Sequence, residues 1–490
     1  MAADTRNPQI AAVTDTAAMA RLWPPLLLTL LLYVGFAWFY HSPLCGPRLN
    51  RELFLWPACL LQIGLYIWGY VQCRNQSEGS ATLTILGFGA VILLAAWWIP
   101  PFHSTDVFGY INRGWQQIHY HLNPYAVVVE QIPGWQHDPM LTDHWVSNPS
   151  PYGFLFMGLT KLLCLLGGGD KTGTLLWFKS LNVLVHGLTA WLVFRIARRL
   201  GHPRPELSLY LYLLNPLILI HHIANGHNDI VMTLFVVLGF YAVLRKHAWA
   251  LLPCLTAAVL IKYLPVILLP FALVYLIRMR LWRDLATGLV LSVLLTGLCG
   301  YPYLKDWEAI RFNQIQHNAL VSHSSLHHFL YSLFKQIANA LPGLLPYKLL
   351  VRQQLKNLLL LGYGVIYGGM LYSFWLFFRP ALPTLSSAVA RLARLSGWVM
   401  VLLVCGVSLK FYPWYVGMVL ALGFFLPPGN WLRRAVVLLS IAQVFALTFL
   451  GQAHFVNFVL LTALPVIVVI GRRWQQEGPP RLNHRPSSTV

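Results

Sequence analysis

Apolar runs, most of them about 15 to 20 residues long, extend along almost the whole chain and are separated by short polar segments. Helices of this length cross, or nearly cross, the hydrocarbon core of a bilayer. The pattern therefore predicts an all-α polytopic membrane protein with about 14 transmembrane helices. The runs lie at 24–41, 54–72, 80–99, 174–194, 207–222, 229–244, 248–262, 264–277, 285–301, 357–378, 394–409, 413–428, 434–451 and 455–471.

Two of these runs, 248–262 and 264–277, are short and are separated by the sequence Lys-Tyr-Leu-Pro. Because proline removes a helical hydrogen bond and clashes with the preceding turn, the pair forms either two half-length helices or one kinked element. The number of spans is therefore expected to lie between about 12 and 14.

Composition supports a membrane protein. Of the 490 residues, 57% are hydrophobic and only 10% are charged, and the mean hydropathy is +0.60, which is more apolar surface than a soluble core can bury. No cleavable signal is evident before the first run, which is therefore expected to be the first span. The seven cysteines are scattered without CxxC spacing, so neither a disulfide framework nor a zinc site is indicated.

The net charge of +20 comes mostly from basic residues in alternate connecting segments, such as RIARRLGHPR and RMRLWR. Positive segments face the cytoplasm, so this bias explains the charge without a nucleic-acid partner. The resulting topology has a cytoplasmic tail at 1–23, one membrane domain at 24–472 and a basic cytoplasmic tail at 473–490. The long segments at about 100–173 and 302–356 are then outer loops.

The first outer loop opens with a predicted amphipathic helix. Asp106, Tyr110 and Arg113 share one face at helical spacing, and apolar residues occupy the other face. Such a helix is suited to the outer membrane interface, with Asp106 facing water or a cleft. Asn123-Pro124 is expected to end it, because the residue before proline is disfavoured in the α conformation.

A second surface helix is predicted within 147–173, which is apolar for about 15 residues and is too short to span a bilayer. By local features alone, Asp106 is either a charge that complements its helix dipole or a catalytic group.

An ordered set of motifs resembles the C-type glycosyltransferase superfamily (GT-C), and among its members the bacterial polyprenol-phosphate-mannose-dependent mannosyltransferases. The resemblance covers roughly residues 80 to 420, whereas the spans 24–41 and 54–72 precede it and have no counterpart. The motifs are DVFGYINRG and LNPY within 106–125, SPYG at 150–153, RIARRLG at 195–201, NPLILIHHIANGHNDIVM at 215–232, IKYLPVILLP at 261–270 and FYPWY at 411–415.

The resemblance implies an inverting hexosyltransferase that moves a sugar, expected to be mannose, from a polyprenyl-phosphate donor to a glycan or lipid acceptor. Asp106 matches the acid that acts as general base. The implied place is the plasma (inner) membrane, surrounded by lipid, with the active site on the outer face. No cofactor is implied, and no glycine-rich phosphate loop or dinucleotide pattern is present.

Further residues of the matched motifs are expected to bind substrate. Asp229, with His227 and Asn228, either caps a helix or binds sugar hydroxyls. Lys262, inside an apolar run, either extends to the interface or meets an anion such as the donor phosphate. The remaining substrate-binding candidates are Tyr110, Arg113, Asn123, Tyr125, Tyr152, Lys410, Tyr412, Trp414 and Tyr415. Of these, Tyr412, Trp414 and Tyr415 can alternatively form an interfacial belt.

Outer histidines are numerous, and His pairs can bind zinc. No pair has a third ligand at a fixed spacing, so no metal site is predicted. His323 and His327, four residues apart on a predicted helix, are the first place where one would be sought.

Two other classes of protein remain open. A secondary transporter or lipid flippase would place a substrate site at broken spans near NGHND and KYLP. The absence of an internal repeat speaks against it. A non-catalytic polysaccharide-assembly protein of the same fold is the third possibility.

Overall fold

The structure, a computed structural model, describes residues 8–46, 48–77, 79–305, 307–310, 324–379, 381–448 and 454–477. Over these ranges it is helical and contains no β-strand. The principal helices are α1 (Pro8–His41), α2 (Arg48–Arg74), α3 (Thr82–Trp98), α4 (Asp106–Ile118), α5 (Phe154–Gly167), α6 (Lys171–Arg199), α7 (Glu206–Leu213), α8 (Asp229–Leu244), α9 (Leu251–Ile261), α10 (Leu269–Arg278), α11 (Trp282–Leu304), α12 (Leu326–Ala340), α13 (Lys348–Phe377), α14 (Leu385–Leu402), α15 (Val416–Phe424), α16 (Trp431–Gln443) and α17 (Leu464–Glu477).

Seven helical segments in the described ranges are long and apolar enough to cross a membrane. They are Arg21–His41, Leu49–Arg74, Lys171–Arg199, Glu206–Ala224, Trp282–Leu304, Pro342–Phe377 and Leu385–Val407. Shorter apolar helices accompany them, including α3, α5 and α8. The predicted class, an all-α polytopic membrane protein, is confirmed, while the number of spans stays a prediction.

Proline interrupts two of the predicted runs. In the run 207–222, α7 ends before Asn215, and a short helical segment starting at Pro216 continues as the π-helix Leu219–Ala224. In the run pair around Lys-Tyr-Leu-Pro, α9 and α10 are separate helices joined by the 3-10 helix Leu264–Leu268. The half-length alternative is therefore the observed one.

Burial distinguishes the centre of the molecule from its lipid-facing side. Every residue in the apolar segment Glu206–Ala224 is buried, whereas buried residues make up only 11% and 6% of the most apolar 18-residue stretches of α11 and Pro342–Phe377. Helices α6, α9 and α15 pack on α8. The exposed leucines of α11 and α13 are those expected to contact lipid tails.

Helix α4 forms as predicted and is covered by neighbouring helices and loops. It packs against α5 and α6, and its polar face is covered too: Arg113 is only 3% exposed. The helix ends at Ile118 rather than at Asn123, because His121 adopts a left-handed conformation with φ of 53° before the proline is reached. Most of the polar face of α4 is therefore covered by protein, whereas the Asp106 side chain at its first turn keeps 16% exposure.

Candidate active site

Asp106 begins α4, and a buried turn before α8 lies beside it. The side-chain oxygen of Asn225 accepts hydrogen bonds from the backbone N–H groups of Phe102 and His103, at 2.9 and 2.8 Å. The Asn225 amide in turn donates to the carbonyl of Ile220 at 2.9 Å. One asparagine therefore ties the segment that leads into Asp106 to the turn that leads into Asp229.

Gly226 allows this turn to pass close to α4. Its φ is +77°, a conformation that L side chains rarely adopt, and a Cβ at this position would lie 3.1 Å from a methyl group of Val107. On the other side, the amide of Asn182 in α6 donates to the carbonyls of His222 and His227. The backbone around His227 is therefore fixed from two sides.

The turn brings His227 to the carboxylate of Asp106. Nδ1 of His227 lies 3.4 Å from Oδ2 of Asp106, which is long for a hydrogen bond but close enough for strong electrostatic interaction. Burial on its own would raise the pKa of Asp106. The hydrogen-bonding and charge of His227, with Lys262 and Ser104, outweigh burial and hold that pKa below its ordinary value. Asp106 is therefore an ionised carboxylate in a largely enclosed place.

The second acid, Asp229, has a different partner. Nζ of Lys262 lies 2.8 Å from Oδ1 and 2.9 Å from Oδ2, so one ammonium group binds both carboxylate oxygens. The same ammonium lies 4.7 Å from the ring centre of Tyr415, within the range of a cation–π interaction. The Asp229 side chain is 1% exposed, whereas that of Asp106 is 16% exposed. Of the two acids, Asp106 is the more accessible, and the charge of Asp229 is balanced by the ammonium group of Lys262.

A close backbone approach places Tyr152 near Lys262. The N–H of Gly153 donates to the carbonyl of Ile261 at 3.2 Å, and a Cβ on Gly153 would lie 2.3 Å from the carbonyl oxygen of Leu260. Only glycine permits this contact between the outer loop and the end of α9. Burial, followed by the charge of Asp106, raises the pKa of the Tyr152 hydroxyl.

Tyr110 completes this side of the site. Its ring packs edge-on against Tyr152 at 5.2 Å between centres, and its hydroxyl donates to Oδ1 of Asn228 at 3.3 Å. The Tyr110 side chain thus spans from α4 to the turn that carries His227 and Asn228.

The FYPWY segment covers His227 with stacked rings. Trp414 stacks on His227 at 3.8 Å between ring centres, and Tyr412 stacks on Trp414 at 4.5 Å. Burial and the Asp106 carboxylate raise the pKa of Tyr412 to about 12. Burial lowers the pKa of Lys410, and the Asp106 carboxylate opposes this effect, which indicates that the ammonium lies within electrostatic reach of Asp106.

Three of the predicted site residues lie elsewhere and support the outer loop. The Arg113 guanidinium donates to the carbonyls of Trp145 and Asn148, under the loop. The Asn123 amide donates to the carbonyl of Tyr303 at 2.9 Å, and the Tyr125 hydroxyl donates to the carbonyl of Tyr152 at 2.7 Å. In this structure these side chains bind backbone groups rather than facing Asp106.

Sequence reasoning missed the residues that hold the site together. The Asn-Gly pair at 225–226 is a turn signal that could have been used. Asn182, a polar side chain within the apolar segment Lys171–Arg199, also marks a position that requires partners.

A buried histidine cluster beside Asp106 was also missed. His103, His221 and His222 join His227, with ring centres of His103 and His221 5.2 Å apart. Among the residues that the structure describes, no three His, Cys, Asp or Glu side chains converge on a position that could hold a metal ion. His323 lies outside the described residues, and a ring nitrogen of His327 lies 3.0 Å from the carbonyl of Arg352.

The arrangement combines an ionised carboxylate, a neighbouring imidazole, two cations and several aromatic rings at one place. A carboxylate in such a place can take a proton from a hydroxyl group, and cations can stabilise negative charge on a phosphate. Aromatic rings suit the apolar faces of sugars and prenyl chains.

Comparison with known proteins shows which proteins the chain is similar to. Residues 50–278 match the family model described as alpha-(1->6)-mannopyranosyltransferase, N-terminal domain. Over these residues the chain is similar to the alpha-(1->6)-mannopyranosyltransferases, which bears out the resemblance to mannosyltransferases that the motifs indicate. The matched region contains Asp106, His227, Asp229 and Lys262, whereas FYPWY lies beyond it.

Individual alpha-(1->6)-mannopyranosyltransferases are also similar to part of the chain. The chain is 27% identical over 226 residues to alpha-(1->6)-mannopyranosyltransferase A of Corynebacterium glutamicum, which covers 44% of this chain and 45% of that protein. It is 28% identical over 199 residues to alpha-(1->6)-mannopyranosyltransferase A of Mycobacterium tuberculosis, covering 40% and 38%. The match to alpha-(1->6)-mannopyranosyltransferase B of C. glutamicum is 29% over 247 residues, covering 46% and 35%.

The chain therefore spans less than half the length of these relatives. No solved structure gives a significant match.

Proposed function

We propose that the protein is a membrane mannosyltransferase that uses a polyprenyl-phosphate mannose donor on the outer face of the membrane. The acceptor is a hydroxyl group of a glycan or glycolipid, and the new linkage is alpha-(1->6), by analogy with the names of the relatives. Asp106 is the general base. The geometry around this carboxylate is the observation on which the proposal rests.

The proposed reaction is one displacement. The acceptor oxygen attacks the anomeric carbon, the bond from that carbon to the donor phosphate oxygen breaks, and the phosphate leaves with the electron pair. Asp106 takes the proton of the attacking hydroxyl. Because the phosphate is a stable anion, the leaving group needs little assistance, and proton removal and positioning account for most of the catalysis. A single displacement inverts the anomeric centre.

Asp106 suits this role better than Asp229 does. A base must be ionised and must reach its substrate. The pKa of Asp106 is held low, and its side chain keeps some exposure, whereas Asp229 is enclosed and bound through both oxygens to Lys262. Asp229 is therefore proposed to fix Lys262 beside the reaction centre.

Lys262 and Lys410 are proposed to bind the donor phosphate. Lys262 approaches from the end of α9 and Lys410 from the segment after α14, so the two cations belong to different elements. A phosphate between them would be positioned and stabilised as it leaves. Tyr412 and Tyr415 are half-buried beside them and are proposed to contact the sugar or the first prenyl units.

The test uses purified protein, labelled polyprenyl-phosphate mannose and a short alpha-(1->6)-linked mannoside acceptor. Asp106→Asn should lower the turnover rate by about 10²- to 10⁴-fold, the usual contribution of a positioned base. Asp143→Asn, at an acid of the same outer loop whose side chain is 85% exposed, should retain wild-type activity.

Transfer that is unaffected by Asp106→Asn would reject Asp106 as the base. Specific uptake of the donor into proteoliposomes without transfer would favour a transporter or flippase instead. If the protein neither transfers mannose from the donor nor transports the donor, polyprenyl-phosphate mannose would be rejected as its substrate.

A further inference from the structure

An arginine-rich groove lies far from Asp106, between α2, α16 and α17. Its cavity has a volume of about 330 Å³ and is partly open to the surroundings. A ring nitrogen of His103 lies 3.0 Å from the carbonyl of Ala446, so the C-terminal end of the α16 element is beside the candidate active site. Arg433, 13 residues earlier in this element, is roughly 20 Å away at the helical rise of 1.5 Å per residue. The groove is therefore a separate feature of the molecule.

Helices α2, α16 and α17, with Leu211 of α7, line the groove, and the relative direction of α2 and α16 follows from their contacts. The thiol of Cys59 in α2 contacts the carbonyl of Val444, which follows α16. Tyr70, 11 residues later in α2, lines the groove together with Arg433, 11 residues before Val444. The two helices thus run antiparallel, and both reach the arginine-bearing end of the groove.

Three arginines, Arg433, Arg434 and Arg472, line this end. Arg433 is 3% exposed, and its Nη1 donates to Ser208 Oγ at 2.9 Å and to the carbonyl of Leu426 at 3.0 Å. Its Nη2 is buried and has no hydrogen-bond partner within the part of the chain that the structure describes. Arg434 lies 4.7 Å from the ring centre of Trp431 and is exposed.

No carboxylate is among the described residues that line the groove. Three like charges with no acidic side chain among the described lining residues favour an anionic ligand, and an arginine guanidinium is well suited to phosphate.

The wall beyond the arginines is apolar. Leu438 and Ile441 follow Arg434 by one and two helical turns, and Val469 precedes Arg472 by about one turn in the neighbouring helix. Leu438 is 38% exposed, and Ile67 of α2, on the same groove, is 47% exposed. A ligand that fills the groove therefore needs an anionic head and an apolar chain.

We infer that this groove binds a membrane phospholipid with an anionic headgroup, whose phosphate meets Arg434 and Arg472 and whose acyl chain lies along Leu438 and Ile441. The apolar wall distinguishes such a lipid from a soluble phosphate compound. The three arginines and the lack of an acid among the described lining residues distinguish it from a zwitterionic lipid, which brings its own cation.

The experiment measures thermal unfolding and native mass spectra of the full chain in detergent micelles. Phosphatidylglycerol is compared with phosphatidylcholine of the same acyl chains and with inorganic phosphate. We expect phosphatidylglycerol to stabilise the protein and to remain bound in the mass spectrometer. The double variant Arg434→Gln/Arg472→Gln should weaken its binding roughly tenfold or more.

The matched control is Arg198→Gln/Arg245→Gln, which removes the same charge from exposed positions outside the groove. It should bind phosphatidylglycerol like the wild type. Equal loss in both double variants would show a general surface-charge effect, and equal stabilisation by phosphatidylcholine would show that charge is not recognised. Stabilisation by inorganic phosphate alone would show that the acyl chain has no role. Each of these three results would overturn the inference.

Discussion

Asp106 lies beside the turn that precedes α8, and Asp229 directly follows that turn. The two acids differ in the residue that balances their charge. Asp229 has a lysine at hydrogen-bond distance from both oxygens, whereas Asp106 has an imidazole at 3.4 Å. An imidazole held by stacking on Trp414 can stabilise a carboxylate without blocking it. The difference supports the separate roles proposed for the two acids, although both lie at the N-terminal ends of helices.

His227 can be tested through the pH dependence of the reaction. His227→Phe keeps an aromatic ring next to Trp414 and removes both nitrogens. Because His227 contributes to lowering the pKa of Asp106, its loss should raise that pKa. The base is ionised only above its pKa, so the acidic limb of kcat/KM should move to higher pH, by about one unit or more.

The corresponding control is His144→Phe, at a histidine that lies 3.6 Å from Asp143 and whose side chain is 39% exposed. Its acidic limb should coincide with that of the wild type. An unmoved limb in His227→Phe would mean that His227 does not act on the titrating base.

The Asp229–Lys262 pair gives a prediction about stability. Lys262→Met leaves a fully buried carboxylate without its cation, a change that commonly costs about 3–5 kcal/mol. Asp229→Asn should cost less, because the Lys262 side chain is 18% exposed and solvent screens its charge.

The double variant removes both charges, so no unpaired charge stays buried. Its loss of unfolding free energy should therefore be smaller than the sum of the two single losses. Chemical denaturation in detergent measures all three values. Additive losses would show that the two charges do not interact energetically.

At the level of elements, the turn between the π-helix Leu219–Ala224 and α8 determines where His227 lies. Gly226→Ala forces a Cβ against Val107 at a φ of +77°. We expect a cost of about 1–3 kcal/mol and a fall in turnover, because the turn must move away from α4 and take His227 with it.

Gly134→Ala is the matched control. Gly134 also has a left-handed φ, of +72°, but a Cβ there would meet nothing within 4 Å. Thermal unfolding and turnover together separate the two contributions: strain alone should appear in both variants, and loss of activity only in Gly226→Ala. Equal activity in the two variants would show that the contact with Val107 does not position the site.

The sequence predicts a helix well where apolar and polar residues alternate with helical spacing along the whole element. The existence of α4 and the Asp106 face followed from spacing, and α5 was expected within 147–173. Residue spacing does not predict that the outer loop covers the polar face of α4. Arg113 binds carbonyls of Trp145 and Asn148, more than 30 residues away in an irregular loop, and no local pattern encodes such contacts.

For the same reason, the sequence does not predict the hydrogen bonds that Asn225 makes to the segment before α4. The three backbone N–H groups that its side-chain oxygen accepts from, those of Phe102, His103 and Ser104, are more than 120 residues earlier. The Asn-Gly pair signals a turn, but nothing local says which distant segment the asparagine binds.

On the scale of the whole molecule, the apolar runs identified the class of protein because lipid requires backbone hydrogen bonds to be satisfied within helices. The number of spans was less accessible, since α8, α9 and α10 are short and a broken segment, Glu206–Ala224, lies at the centre. Buried helices need not have the length or composition of helices that face lipid.

The orientation in the membrane is the prediction that joins the charge pattern to the proposed site. Asp143→Cys should react with a membrane-impermeant maleimide on intact cells, because its position is highly exposed in the loop that carries Asp106. Arg198→Cys, exposed at the end of α6 in the basic segment, should react only after the membrane is permeabilised. The parent protein measures labelling of the native cysteines, of which Cys59, Cys73 and Cys164 are buried. The reverse accessibility would place Asp106 on the cytoplasmic side. A donor presented from outside would then be unable to reach it, and the outer-face part of the proposed function would be rejected while the base assignment could still hold.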